Sequence, residues 1–137
     1  MTTKPLRIRK AAVLGAGVMG AQIAAHLTNA GIETVLFDLP AKQGPKNAVA
    51  VNAIKHLGKL KPAPLGEKAL AAAIVPADYD EHLAQLADCD LVIEAIAERM
   101  DWKLDLYKKV AAHLPEHAVI ASNTSGLSIN TLAEALP

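Results

Sequence analysis

Three observations predict an α/β fold built on a doubly wound parallel sheet in three α/β/α layers. Short apolar runs alternate with segments of helical spacing along the chain. The clearest run, Leu91-Val92-Ile93, is apolar at every position, as in a strand covered by helices on both faces. A glycine-punctuated turn stands between the first run and the first helical segment, the order of a strand, a turn and a crossover helix.

The first strand rests on Val13 and Leu14 with their alanine neighbours. From Val18 to Ala30 the pattern becomes helical, with Met19, Ile23, Leu27 and Ala30 on one stripe, and Gly31 ends the helix as a C′ glycine does. Glu33 to Phe37 is β-branched and aromatic and predicts the second strand. Within Pro40 to Ala73, Val51, Ile54, Leu57 and Leu60 keep helical spacing. The pattern breaks at Lys61-Pro62-Ala63-Pro64 and resumes as an alanine-rich helix from Glu67. A weak strand is predicted at Ile74 and Val75, and a strong one at Leu91 to Ile93. Met100, Leu104, Tyr107, Val110 and Leu114 form a further helical stripe, and Ala118 to Ala121 reads as another buried strand ending in polar residues. There is no internal repeat, and the 137 residues amount to one domain, 1–137.

Composition narrows the function classes. Hydrophobic residues make up 52% of the chain, ample for a core, and 14 basic residues balance 14 acidic ones, so no global field draws in nucleic acid or an anionic membrane. Phe37, Tyr79, Trp102 and Tyr107 are too few for a base-stacking platform. No run approaches the roughly 18 apolar residues of a membrane span, and the single cysteine, Cys89, cannot form an internal disulfide. The cytoplasm is therefore the expected compartment. The basic lead-in MTTKPLRIRK lacks the apolar stretch of a secretory signal. No metal is called for.

Gly15, Gly17 and Gly20 match G-x-G-x-x-G, and each glycine answers a separate physical need. These are a tight turn, room for backbone to approach a pyrophosphate, and close contact of helix with strand. Val18 and Met19 open the helix behind them, whose unpaired N–H groups stabilise phosphate charge without a lysine. Asp38 ends the second strand near the expected distance of about 20 residues. A carboxylate there accepts hydrogen bonds from both ribose hydroxyls and repels a 2′-phosphate, so a Rossmann-type site for NAD rather than NADP is expected. FAD uses a similar turn.

With GAGVMGAQIAAHLTNAG, then DLVIEAIAE followed by Lys103, then ASNTSGLSI, the chain resembles the N-terminal part of the 3-hydroxyacyl-CoA dehydrogenases, the NAD enzymes of fatty-acid β-oxidation. The resemblance spans almost the whole chain. It implies that Gly15 to Gly20 and Asp38 hold the adenosine side of NAD and that Glu98 and Lys103 lie along the cofactor near the nicotinamide. It further implies that Ser125 hydrogen-bonds the 3-oxygen of an acyl-CoA substrate, that Asn123 shapes the same crevice, and that the full-length protein is a homodimer. Each residue also has a plainer reading. Glu98 and Asp101 can cap the helix near Met100, Asn123 to Ser125 can be a polar turn, and periodicity alone leaves Lys103 in solvent. Lysines 42, 46, 55, 59, 61 and 68 face one acid, Glu67, between Leu39 and Ala73. In the resembled enzymes this excursion approaches the coenzyme A nucleotide, and a solvated helix face is the alternative.

Oxidation of a 3-hydroxyl needs a proton acceptor, usually a histidine. His26, His56, His82, His113 and His117 all read as surface or structural. In the resembled family the catalytic histidine and its glutamate partner lie beyond the serine-bearing turn, past Pro137, as does a helical second domain. The expectation is thus a dinucleotide-binding part of a longer enzyme, with the domain incomplete and inactive alone. The rivals are a dehydrogenase of a short 3-hydroxy acid and a non-enzymatic, crystallin-like dinucleotide-binding protein.

Overall fold

A computed structural model describes residues 8–57, 68–96 and 100–122. Five strands form one parallel sheet: β1 (Lys10–Leu14), β2 (Glu33–Asp38), β3 (Ile74–Asp78), β4 (Leu91–Glu94) and β5 (Val119–Ser122), in the order β3-β2-β1-β4-β5. Three helices are α1 (Val18–Asn29), α2 (Ala48–Leu57) and α3 (Met100–Ala111), with short 3-10 helices at Lys68–Ala73 and Leu83–Asp88. The doubly wound parallel fold is as the alternation of runs predicts.

The layers follow from the two-residue period of the strands. Ala11, Val13 and Leu36 face one side, where they pack with Ala21, Ala24, Ala25 and Leu27 of α1 and Ala50 and Leu57 of α2. Ala12, Leu14, Val35, Phe37 and Val92 face the other, where Leu86, Leu106 and Val110 cover them. All five residues of β1 are buried, so a strand flanked on both edges and both faces is apolar throughout. Lys10 is the exception. Its stem lies in the sheet while Nζ reaches the Asp88 carboxylate at 2.6 Å and Gln85 Oε1 at 3.1 Å. At the same amino-terminal end, Asp90 accepts from Arg9 N at 2.8 Å and lies 2.8 Å from His117 Nε2, tying the start of β1 to β4 and to the turn before β5.

Three expectations need correction. The buried face of α1 is Gly20, Ala21, Ala24, Ala25, Leu27 and Thr28, while Met19 is 56% exposed. Close approach of a helix to a sheet selects small residues, so the large ones are a poor guide to the inner face. The alanine-rich segment after Glu67 is a 3-10 helix and not an α-helix. Six residues leading directly into β3 gain few of the hydrogen bonds that offset helix nucleation. Finally, β5 alternates exposed and half-buried residues, with Val119 44% exposed, because among the described residues it pairs only with β4. Leu60 and the proline break lie outside the described residues.

Candidate cofactor site

The sheet order places β1 between β2 and β4, with α1 on one face and α3 on the other. The chain thus winds in opposite directions from β1, and the carboxyl ends of β1, β2 and β4 enclose the crevice where ligands of such sheets bind. Three loops reach this rim: the glycine turn after β1, the turn after β2 at Asp38, and the chain leaving β4.

The three glycines are separated by what surrounds them. Gly15 has φ +113°, and its N–H donates to Phe37 O at 2.8 Å. A Cβ there would stand 2.7 Å from Ala95 O, so the turn is pressed against the chain leaving β4. Gly20, in the first turn of α1, packs on Gly15, and an added Cβ would overlap its carbonyl oxygen. Gly17 differs, with an ordinary φ of −71° and nothing within 4 Å of an added Cβ. The first and third glycines are therefore explained by packing within the protein. The second is not explained by packing within the protein, and the space over it is open to something approaching from outside.

Gly17 is also the N-cap of α1, where no side chain caps the helix and no acidic residue stands in the first turn. The first N–H groups of a helix have no partner within it, and their positive end favours an anion. Val18 and Met19, 68% and 56% exposed, border this open turn. Asp38 closes the other side. Its Oδ2 accepts from Ala16 N at 2.6 Å and its Oδ1 from Leu39 N at 2.6 Å, which fixes the carboxylate beside the glycine turn. A carboxylate offers about four acceptor positions, so it retains capacity for two hydroxyls. Open space over Gly17, an uncapped helix start and a fixed carboxylate together fit a dinucleotide.

The β4 side holds a group that motif reading passed over. Glu94, the last residue of β4, is wholly buried, and its Oε1 is 3.0 Å from Lys103 Nζ, 3.0 Å from the donating Tyr107 hydroxyl and 2.7 Å from the donating Ser122 hydroxyl. Its Oε2 accepts from Ile96 N at 2.9 Å. Lys103 is likewise wholly buried, so the solvated reading suggested by periodicity does not hold. A charged residue at the end of an otherwise apolar run was the available signal, since such residues are almost never buried unpaired. Burial, and after it the Glu94 carboxylate, push the Tyr107 hydroxyl up to about 12, while its contact with Ser122 works the other way. Glu98, Asn123 and Ser125 lie outside the described residues.

Tyr79 stacks on Phe37 with ring centroids 5.8 Å apart, beneath the rim. Its hydroxyl is buried without a hydrogen-bond partner among the described residues, and burial followed by the Asp38 and Glu94 carboxylates raises its pKa well above the ordinary value. Asp78 sits at the end of β3, where its Oδ1 accepts from Asp80 N and Glu81 N and its Oδ2 lies 3.0 Å from His82 Nδ1. Burial pushes this carboxyl up, but those two N–H groups and the histidine outweigh it and hold it below the ordinary range. Of the excursion lysines, Lys42 and Lys55 are exposed, whereas Lys46 lies 3.8 Å from Asp80 and 3.9 Å from Glu81, so part of that charge is answered within the protein. Lys59 and Lys61 lie outside the described residues. A cleft of about 430 Å³ lined by Lys10, His82 and Asp88 involves none of the crevice residues.

The chain matches the family model described as "3-hydroxyacyl-CoA dehydrogenase, NAD binding domain" over residues 10–137. A Deinococcus radiodurans protein named "Probable 3-hydroxyacyl-CoA dehydrogenase" is 40% identical over 130 residues, 94% of this chain and 38% of that protein. The "3-hydroxybutyryl-CoA dehydrogenase" of Bradyrhizobium diazoefficiens is 35% identical over 128 residues, 93% of this chain and 43% of that one. The crystal structure of 3-hydroxybutyryl-CoA dehydrogenase from Escherichia coli superposes with a TM-score of 0.76 at 29% identity, covering 96% of this chain and 28% of that one. The chain spans less than half the length of each of these proteins. A glycine turn opened for phosphate, a carboxylate fixed beside it and a family match over nearly every residue lead to one assignment: the chain belongs to the NAD-binding domain family of the 3-hydroxyacyl-CoA dehydrogenases.

Proposed function

We propose that this chain is the NAD-binding part of an enzyme that oxidises (3S)-3-hydroxyacyl-CoA to 3-oxoacyl-CoA in fatty-acid β-oxidation. The observation that carries the reading is the contrast at the glycine turn, where Gly15 and Gly20 are filled by the protein's own backbone and Gly17 is open. Bound there, NAD supplies a hydride acceptor at the nicotinamide.

The chain's own residues bind and orient. The N–H groups of Val18 and Met19 and the backbone of Gly17 take the pyrophosphate, and Asp38 takes the adenosine ribose hydroxyls. A 2′-phosphate brought against the Asp38 carboxylate meets like charge, which sets the preference for NAD over NADP. Glu98 serves the nicotinamide half, which Lys103, wholly buried on Glu94, supports from behind; Ser125 serves the substrate's 3-oxygen and Asn123 the wall beside it, and the last two follow Ser122, the end of β5. This reading puts the base that accepts the hydroxyl proton outside the described residues: His117 pairs with Asp90 at the amino-terminal end of the sheet, His82 pairs with Asp78 at the end of β3, His26, His56 and His113 are exposed on helices or their ends, and the described contacts of the glycine turn, Asp38 and Glu94 include no histidine. The homodimer and the cytoplasm belong to this reading of the whole protein, and no helix among the described residues is long and apolar enough to cross a membrane.

The test is titration of the purified chain with NADH and, separately, NADPH, following energy transfer from Trp102, which is half-exposed and adjacent to Lys103. NADH-selective binding that Asp38→Ala relaxes is the expected result. Absence of NADH binding by a folded chain overturns the proposal. The same preparation should leave NADH unoxidised in the presence of acetoacetyl-CoA, and turnover at enzymatic rates contradicts the placement of the base.

A further inference from the structure

We infer that Glu94 is a positioning residue that sets the nicotinamide end of the cofactor site by tying β4, β5 and α3 together at the carboxyl rim on that side of the crevice; this rests on the cofactor reading above. Glu94 and Ser122 are register partners on adjacent parallel strands, so their side chains leave the sheet together at its carboxyl rim. Lys103 and Tyr107, four residues apart on α3, come to the same carboxylate from the covering helix. The fourth donor, Ile96 N, belongs to the chain that leaves β4. One carboxylate thereby holds β4, β5 and α3 at fixed spacing.

Its placement gives this knot a role beyond cohesion. With the adenosine ribose at Asp38 on the β2 side and the pyrophosphate at the turn after β1, the other half of a dinucleotide crosses to the β4 and β5 side of the crevice, and the atoms that Glu94 holds stand at the carboxyl rim of that side. The third loop, the glycine turn, is held to the chain leaving β4 by main chain instead, since Ala95 N donates to Leu14 O at 2.8 Å and Gly15 is pressed on Ala95, contacts that do not pass through the Glu94 side chain. The adenosine half is held separately, by Asp38 on Ala16 N and by the opening over Gly17. Loss of the Glu94 contacts therefore disturbs one half of the cofactor site and spares the other. A buried carboxylate that only closed the core would not discriminate between the halves.

ADP carries the adenosine and pyrophosphate without the nicotinamide half, so calorimetric titration with ADP and with NADH separates the two. In the 137-residue chain, Glu94→Gln should weaken NADH at least tenfold and change ADP by less than twofold. Ser122→Ala and Tyr107→Phe each remove one donor and leave the Glu94–Lys103 pair, so they keep the measurement available if Glu94→Gln does not fold; each should weaken NADH severalfold with ADP unchanged. Wild type that binds neither ligand overturns the cofactor reading and this inference with it. Wild type that binds both, with folded variants retaining its NADH-to-ADP ratio or losing both ligands in parallel, overturns this inference alone.

Discussion

Gly17 and Gly20 belong to one motif but should fail in different ways. Gly17→Ala has room for its Cβ and keeps an allowed φ, so its cost to the fold is that of a poorer N-cap, about 1 kcal/mol or less. The same methyl occupies the approach of the pyrophosphate, and NADH binding should be lost while the melting temperature barely moves. Gly20→Ala drives a Cβ into the Gly15 carbonyl and should cost about 1–3 kcal/mol or more, measured by urea unfolding. Equal stability losses in the two variants would contradict this division. At Tyr79 the sign is reversed. Its hydroxyl is buried without a partner among the described residues, an arrangement that costs about 1–3 kcal/mol, so Tyr79→Phe should leave the urea midpoint unchanged or raise it. A clear loss of stability would mean that an ordered water completes the hydroxyl. The motif spacing made the glycines and Asp38 legible from the sequence, because backbone geometry dictates them locally. The Tyr79 hydroxyl, without a partner among the described residues, was not legible, because burial of one atom depends on how the turn after β3 lays its ring on Phe37 of β2.

Among the elements, α3 shows how far periodicity reaches. Its spacing placed a helix correctly and identified Tyr107 and Val110 on the inner face. It also put Lys103 in solvent, whereas the structure buries that residue against Glu94. Periodicity scores a lysine by its usual preference for water and has no knowledge of a carboxylate arriving from another strand. Removing one partner of a buried pair leaves an uncompensated charge and typically costs about 3–5 kcal/mol. Lys103→Met should therefore lower chain stability by an amount of that order in urea, and a change under about 1 kcal/mol would show that the three other donors to Glu94 suffice without the ammonium. The 3-10 helix at Lys68–Ala73 carries the complementary lesson: composition favoured an α-helix, but segment length and the entry into β3 decided the outcome.

For the whole molecule, titration bounds stability on both sides. Asp78, Asp88 and Asp90 have folded values below their ordinary ones: at Asp88 chiefly through the Lys10 hydrogen bond, and at Asp90 chiefly through Arg9 N, then His117. Depressed carboxyls stabilise the fold above their unfolded value, and that contribution is lost as pH falls through the folded one. The alkaline side has the opposite sign. Cys89, raised to about 11 chiefly by burial, and Tyr107, raised to about 12, hold their protons longer in the folded chain, so stability is complete below about pH 9 and declines as pH rises toward 11 and 12. The urea midpoint should be flat near neutrality and fall below about pH 4 and above about pH 9, and Tyr107→Phe should flatten the upper part of the alkaline decline. The buried Cys89 should resist a thiol reagent at about pH 8 until the chain is unfolded, and rapid labelling of native protein would contradict its placement.

Local sequence was enough to specify the alternation of strands and helices, the parallel winding, the glycine turn and the acidic residue that follows it. All of these rest on backbone preference and on which residues avoid water. The assembled fold was needed to show that of the three motif glycines only Gly17 opens outward, that small residues form the inner face of α1, and that Glu94 gathers Lys103, Tyr107 and Ser122 from two other elements. Those features depend on distances between segments far apart in the chain, and a buried polar group acquires its meaning only from the partner that folding brings to it.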